Sequence, residues 1–192
     1  MTIDLQQFCS TDDYREYTQK PFSWKGKTYA TDGRIIVRVP ERPDIPSMED
    51  APTGRVELLF LGHENRRYIP VPTVDVPAPA TESSECHECR GIGREHPCEG
   101  CQCTCEVCGG LGRVEVTKDC SVSLGETLVS GRYLRMLQQL PNAEIAPDDA
   151  MTQAPMPFRF DGGDGVLMPR VSQGKVHITV DLPAREATER AG

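Results

Sequence analysis

The chain is short of aromatic residues and of long apolar runs. Aromatic side chains make up 6% of its 192 residues, which argues against a large apolar core. No apolar run approaches the roughly 20 residues that a membrane-spanning helix needs, so we expect no membrane partner. The first residues, MTIDLQQFCS, have neither a basic start nor an apolar stretch. We therefore expect no secretory signal and a cytoplasmic location.

Positive charge is also in deficit. The chain has 21 Lys and Arg residues against 29 Asp and Glu residues, which gives a formal net charge of −8. This balance disfavours a protein that is held to nucleic acid by a basic body, although a local basic face is still compatible with it. The length allows one ordinary core and one small additional module, but not two full domains.

Cysteine and proline are abundant but unevenly placed. Seven of the nine Cys lie between Cys86 and Cys108, and eight of the 16 Pro lie between Pro40 and Pro79. Without a secretory signal, so many thiols indicate metal ligation before disulfides. The uneven distribution predicts an α+β domain from residues 1–80 and 114–182, an inserted cysteine-rich module at 81–113, and a flexible tail at 183–192.

Short apolar patterns predict an antiparallel sheet in two similar halves, each with a short helix and a meander of strands. A helix is expected near Ile3–Cys9, and a second runs from a cap at Ser130 to about Leu140, before Pro141. The predicted strands are Phe22–Lys25, Lys27–Thr31, Arg34–Val39, Val56–Leu61, Arg67–Val71, Val114–Val116, Val122–Leu124, Pro157–Phe160, Val166–Met168 and Val176–Val180.

The cysteine-rich insert contains two units of the form C-x-x-C-x-G-x-G, at 86–93 and 105–112. Zn²⁺ prefers four soft ligands in a tetrahedron, and each C-x-x-C turn supplies two thiolates on one side of the ion. The following glycines let the chain turn away with positive φ. Two facing units complete the ligand shell, so the first predicted metal site consists of Cys86, Cys89, Cys105 and Cys108.

The cysteines between these two units are less regular. Cys98 and Cys101 form a third C-x-x-C pair, Cys103 follows closely, and His96 precedes them. A second zinc ion held by His96, Cys98, Cys101 and Cys103 is one interpretation. A single zinc with exposed remaining thiols is the other, and an iron–sulfur cluster is a further alternative.

The sequences CHECRGIG and CEVCGGLG resemble the zinc-finger repeats of the DnaJ co-chaperone family. That family carries four such repeats, whose outer pair binds one zinc and whose inner pair binds a second. Cys86/Cys89 and Cys105/Cys108 match the outer pair, whereas the inner pair is compressed here. The chain has no J-domain His-Pro-Asp signature. The resemblance therefore implies the zinc fold and a role in holding another protein, but not the co-chaperone function.

The flanks resemble a domain of the bacterial sliding clamps, the processivity factors of DNA polymerase. The resemblance lies in Tyr29-Ala-Thr-Asp-Gly-Arg34, in Arg132-Tyr-Leu-Arg-Met-Leu137, in Pro157–Phe160 and in Gly165-Val-Leu-Met-Pro-Arg170. It implies two helix-and-strand halves whose helices face DNA. Arg132 and Arg135 lie three residues apart and are the candidate phosphate contacts, with a solvated helix face as the alternative.

No set of residues forms a recognisable catalytic site. The leading hypothesis is a non-enzymatic, zinc-binding interaction protein, clamp-like and associated with DNA replication or a phage or other mobile element. We expect a protein partner first, weak DNA contact second, and leave homo-oligomerisation open. The alternatives are a thiol-redox or chaperone-like protein that uses its C-x-x-C cysteines, and a hydrolase or nuclease with an unrecognised active site.

Overall fold

The structure, a computed structural model, describes residues 3–11, 13–49, 53–94, 103–148, 153–170 and 178–182. The chain forms two compact units. The larger unit consists of Met1–Val76 and Ser121–Gly192, and the smaller unit consists of Pro77–Cys120.

Strands predominate over helices in the described residues. The helices are short: α1 (Glu16–Gln19), α2 (Thr53–Leu59), α3 (Gly131–Gln138), and 3-10 turns at Leu5–Phe8 and His63–Asn65. The strands are β1 (Phe22–Trp24), β2 (Lys27–Thr31), β3 (Ile35–Pro40), β4 (Ile69–Pro70), β5 (Ala80–Glu85), β6 (Arg113–Lys118), β7 (Ser121–Leu124), β8 (Thr127–Ser130), β9 (Glu144–Ile145), β10 (Met156–Phe160), β11 (Gly163–Leu167) and β12 (Ile178–Val180).

A seven-stranded sheet with the order β1-β2-β3-β11-β10-β9-β4 organises the larger unit, and all its neighbouring strands are antiparallel. A three-stranded sheet, β12-β7-β8, belongs to the same unit. In that sheet β7 and β8 are antiparallel, whereas β12 pairs with β7 in parallel. The predicted α+β class is therefore confirmed with mostly, but not entirely, antiparallel sheets. The clamp-like arrangement in two halves is not established by this topology and stays a prediction.

One face of the large sheet carries an apolar cluster on which α2 packs. Phe22 lies opposite Tyr29, Ile36 lies opposite Val166, and all four side chains are buried together with Phe60. Residues that pair across neighbouring strands point to the same face, so the register itself brings these side chains together. Val56 and Leu59 of α2 are half-buried against this cluster.

The strand predicted over Val56–Leu61 is wrong, because this segment belongs mainly to α2. Val56, Leu59 and Phe60 have the i, i+3, i+4 spacing that places apolar side chains on one helix face. Polar contacts also hold the helix on the sheet. The Tyr29 hydroxyl donates to Glu57 at 2.5 Å, and the Arg38 guanidinium lies 3.9 Å from the Phe60 ring centre.

Other predicted elements are shorter in the structure. The predicted N-terminal helix is a single 3-10 turn, and the predicted strand Arg67–Val71 is reduced to the two residues of β4. The predicted helix after Ser130 is α3, which buries Tyr133, Leu134 and Leu137. Within the described residues, no helix is long and apolar enough to cross a membrane.

The smaller unit is built on a two-stranded ribbon of β5 and β6, paired from Ala80↔Lys118 to Glu85↔Arg113. The unit is wider than the predicted insert, because β5 and β6 extend it on both sides of the cysteines. Among its described residues, the buried apolar side chains are the four cysteines Cys86, Cys89, Cys105 and Cys108, with Val114 packed beside them. The described interior of this unit therefore consists mainly of cysteine side chains.

Candidate functional site

The ends of the ribbon bring four thiols together. Cys86 and Cys89 follow β5, and Cys105 and Cys108 precede β6. All four Sγ atoms lie within 4.8 Å of one another. The Sγ atoms of Cys86 and Cys105 are 3.9 Å apart, and those of Cys89 and Cys108 are 3.7 Å apart.

The two pair distances match the edge length that one tetrahedral metal ion requires. Four sulfurs at the Zn–S distance of about 2.3 Å form a tetrahedron whose edges are about 3.8 Å long. Both measured Sγ pairs lie within 0.2 Å of that length. In a cluster of several irons the thiolates bind different atoms and lie farther apart, so the observed spacing favours a single ion.

Backbone groups of the two turns support the sulfurs. The N–H of Gly93 donates to Cys89 Sγ, and the N–H of Gly112 donates to Cys108 Sγ, both at 3.2 Å. Such hydrogen bonds stabilise thiolate charge, as in other metal sites where a second shell of donors orients the ligands. The two turns thus make equivalent contacts 19 residues apart.

The same equivalence extends to the backbone between the turns. The Cys86 N–H donates to the carbonyl of Gly112 at 2.9 Å, and the Cys105 N–H donates to the carbonyl of Gly93 at 3.0 Å. A Cβ atom on Gly93 would lie 2.3 Å from the carbonyl oxygen of Gly110. Each turn therefore packs backbone against backbone on the other, which leaves no room for a side chain at this position.

Contacts within the cluster shift the pKa values of two of its thiols in opposite directions. Burial opposes ionisation of the Cys108 thiol, but the Gly112 N–H and the Cys89 and Cys105 sulfurs outweigh it and lower its pKa to about 7. For Cys105, the Cys108 N–H favours the thiolate. Burial and hydrogen bonding with the Cys108 and Cys86 side chains outweigh it, and the pKa rises to about 11. A divalent ion held by the four cysteines would displace the thiol protons and offset part of the thiolate charge.

The structure describes one of the four residues of the predicted second metal site. His96, Cys98 and Cys101 lie outside the described residues, whereas Cys103 is described and its thiol is exposed. Within the described part of the chain, the cluster that could hold a metal ion consists of Cys86, Cys89, Cys105 and Cys108. The second site stays a prediction.

The larger unit contains an apolar groove that sequence reasoning missed. Its volume is about 640 Å³, within the usual range for ligand-binding clefts. The groove is lined by sheet residues and by α2, and the apolar lining includes Phe22, Ile36, Val56, Leu59, Val166 and Met168. The apolar pattern of residues 56–60 would have indicated it, had this segment been interpreted as a helix.

One region of the groove is polar. The groove lining also includes Arg15, Tyr17, Gly33 and Arg34. The Arg15 Nε atom lies 2.9 and 3.0 Å from the two carboxylate oxygens of Asp13, and its Nη1 donates to the Tyr17 hydroxyl at 3.2 Å. The groove therefore combines an apolar lining with two arginine residues.

The candidate phosphate contacts lie on α3. Arg132 is exposed and its Nη2 atom lies 3.8 Å from Asp32 Oδ2, whereas Arg135 is half-buried. The same Asp32 oxygen accepts a hydrogen bond from the Tyr133 hydroxyl at 2.7 Å. The acidic partner of Arg132 reduces the positive potential of this face, and DNA contact by the two arginines stays a prediction.

No family model, no curated protein and no solved structure matches the chain. The four-cysteine cluster is therefore established by geometry alone, and the chain is not assigned to the DnaJ or sliding-clamp families.

Proposed function

We propose that the chain is a non-enzymatic interaction protein whose smaller unit is folded around one structural zinc ion. The observation that carries this proposal is the tetrahedral spacing of four buried thiols, two of which accept backbone N–H groups. A zinc ion bound by four cysteines has no open coordination position, so it serves structure rather than hydrolysis.

Burial of the ligands supports a structural role over a thiol-redox role. Cys86 and Cys105 have no exposed surface, and Cys89 and Cys108 are 4% and 6% exposed. Reactive cysteines need contact with solvent and with a reagent. In addition, the described residues of the unit contain almost no other apolar interior, so the metal–sulfur bonds stabilise it in place of a core.

Substitution of one ligand from each turn tests the proposal. A chain with both Cys86→Ser and Cys105→Ser is compared with Cys120→Ser, which replaces a half-buried thiol outside the cluster. We expect the double variant to lose one zinc in native mass spectrometry and to lose dispersed NMR signals from residues 80–118 only. Equal zinc content in both variants, or rapid reaction of the ligand thiols with a disulfide reagent while zinc stays bound, would refute the structural role.

A second function, capture of a protein partner, is favoured by the groove. Its lining is largely apolar, and Met168 at its border is 41% exposed. Leu58 and Leu61, which flank the groove residue Leu59 in sequence, are 64% and 68% exposed. A small ligand inside the groove would leave these two leucines in water, whereas a polypeptide is long enough to cover them as well.

Peptide binding tests this second function. The probe is a panel of neutral octapeptides with leucine or phenylalanine at alternate positions, and binding is measured by fluorescence anisotropy. We expect Leu59→Asp to weaken binding at least about tenfold, because it places an unpaired carboxylate against apolar surface. Val116→Asp, at an exposed position of the smaller unit, serves as the control. Equal affinities of the two variants, or no binding by the unmodified protein, would exclude groove capture.

We also propose that the larger unit acts as a clamp-like component of DNA replication or of a mobile element. Contacts among the segments that resemble the sliding clamp support this. The Tyr133 hydroxyl donates to Asp32 at 2.7 Å, and the Met168 N–H donates to the carbonyl of Arg34 at 2.8 Å. Segments that are far apart in sequence thus form one local structure.

Retention on circular DNA tests the clamp-like role. A closed oligomer around DNA stays on a nicked circle and is released when the circle is cut. We expect this release, and we expect weaker retention when Arg132→Gln and Arg135→Gln are combined, because two phosphate contacts are lost. A chain that is monomeric in sedimentation and equally bound to circular and linear DNA would contradict the proposal.

A further inference from the structure

The two arginines that line the groove, Arg15 and Arg34, differ in how far their positive charge is neutralised by neighbouring groups. Both carboxylate oxygens of Asp13 engage Arg15, so that guanidinium is held in place and largely neutralised. Its Nη1 atom is further fixed by the Tyr17 hydroxyl. Arg15 therefore shapes the groove but contributes little net charge to it.

Arg34 differs from Arg15 in this respect. Its backbone is fixed, because its N–H donates to Asp32 Oδ1 at 2.9 Å and its carbonyl accepts from Met168. Its side chain is exposed. Across the part of the chain that the structure describes, no hydrogen bond or ion pair engages the Arg34 guanidinium. The nearby Asp32 carboxylate is already occupied through Oδ2 by Tyr133 and Arg132.

We propose that the groove selects a protein segment in which a carboxylate stands beside the apolar side chains, and that Arg34 binds this carboxylate. The inference rests on the capture of a partner proposed above and specifies its chemistry. An arginine fork beside an apolar groove can bind a carboxylate through two charge-assisted hydrogen bonds. An uncharged segment leaves this guanidinium without a partner at the interface, which lowers its affinity.

A polypeptide explains both features of this surface. Its apolar side chains fill the groove and cover Leu58 and Leu61, which lie close to the groove residue Leu59 in sequence, and its acidic side chain reaches Arg34. A fatty acid shares the same ligand chemistry, a carboxylate on an apolar chain, but has no second set of side chains for the exposed leucines. The occupant is therefore an acidic, apolar segment of another protein.

The test extends the peptide panel used for the groove. A single aspartate is placed at each position of the octapeptides in turn, and each peptide is paired with its asparagine counterpart. For at least one position, we expect the aspartate peptide to bind the unmodified protein about three- to tenfold more tightly. Arg34→Gln should remove this preference. Lys27→Gln, at an exposed position outside the groove, should retain it.

The outcomes separate this inference from the groove function itself. Equal binding of every aspartate and asparagine pair would overturn the role of Arg34 while leaving the groove as a neutral peptide site. Absence of binding by the whole panel would overturn both. Complete displacement of bound peptide by decanoate at lower concentration than by free peptide would overturn the choice of a polypeptide as occupant.

Discussion

Replacement of Gly93 by alanine is the most informative change in the smaller unit. Gly93 has a φ of +77°, and a Cβ atom there would lie 2.3 Å from the Gly110 carbonyl oxygen. Real Cβ atoms essentially never approach another heavy atom closer than 3.0 Å, so the two turns must separate by at least 0.7 Å. The obstacle is backbone, which does not move aside as a flexible side chain would.

Gly109, in the other cysteine turn, provides a matched control. Its φ is +57°, also in the left-handed region, but no heavy atom lies within 4 Å of a Cβ placed there. Gly109→Ala therefore carries the backbone strain alone, about 1–2 kcal/mol. Gly93→Ala carries a similar strain and an additional overpacking cost of about 1–3 kcal/mol.

We expect the two costs to become visible in zinc affinity, because metal binding by a structural cysteine site is coupled to folding. An extra cost of about 1–3 kcal/mol corresponds to a dissociation constant about five- to 150-fold larger for Gly93→Ala than for Gly109→Ala. Competition with a chromogenic chelator measures both constants. Equal constants for the two variants would refute the close backbone packing of the turns.

Three further predictions concern the larger unit. Tyr133→Phe removes a hydrogen bond to a carboxylate and should lower the free energy of unfolding by about 1–3 kcal/mol in urea titrations. Leu134→Ala empties a fully buried position of α3 and should cost about 2–5 kcal/mol in the same assay, so a loss below 1 kcal/mol would contradict its burial. Burial raises the pKa of Cys9 to about 11. Folding therefore favours its neutral thiol, and this contribution to stability is present below pH 9 and is lost as the pH rises toward 11. Iodoacetamide at pH 8 should modify Cys9 only after denaturation.

The clustering of the four cysteines could be predicted because it depends on local spacing. A C-x-x-C-x-G-x-G unit determines its own turn, its positive-φ glycines and the direction of its thiols. Two copies that share one ion need no further information about the rest of the fold. The assignment of Cys86, Cys89, Cys105 and Cys108 to one cluster followed from this alone.

Elements whose structure depends on residues distant in sequence were harder to predict. The segment 56–61 is a continuous apolar stretch apart from Glu57, which is compatible with a strand or a helix, and contacts with Tyr29 and Arg38 decide the outcome. The strand β5, Ala80–Glu85, is polar and has no alternating pattern, so its pairing with β6 was not visible. The groove was missed because it exists only where α2 meets the sheet.

The central claim is that four cysteine thiolates bind one zinc ion, and X-ray absorption at the zinc edge tests it most directly. The sample is a chain with Cys98→Ser, Cys101→Ser and Cys103→Ser, which lacks the thiols of the second predicted site. Purified from cells, it should contain one zinc per chain surrounded by four sulfur atoms at about 2.3 Å. Absence of stoichiometric metal, or a first shell that contains nitrogen or oxygen, would contradict the account.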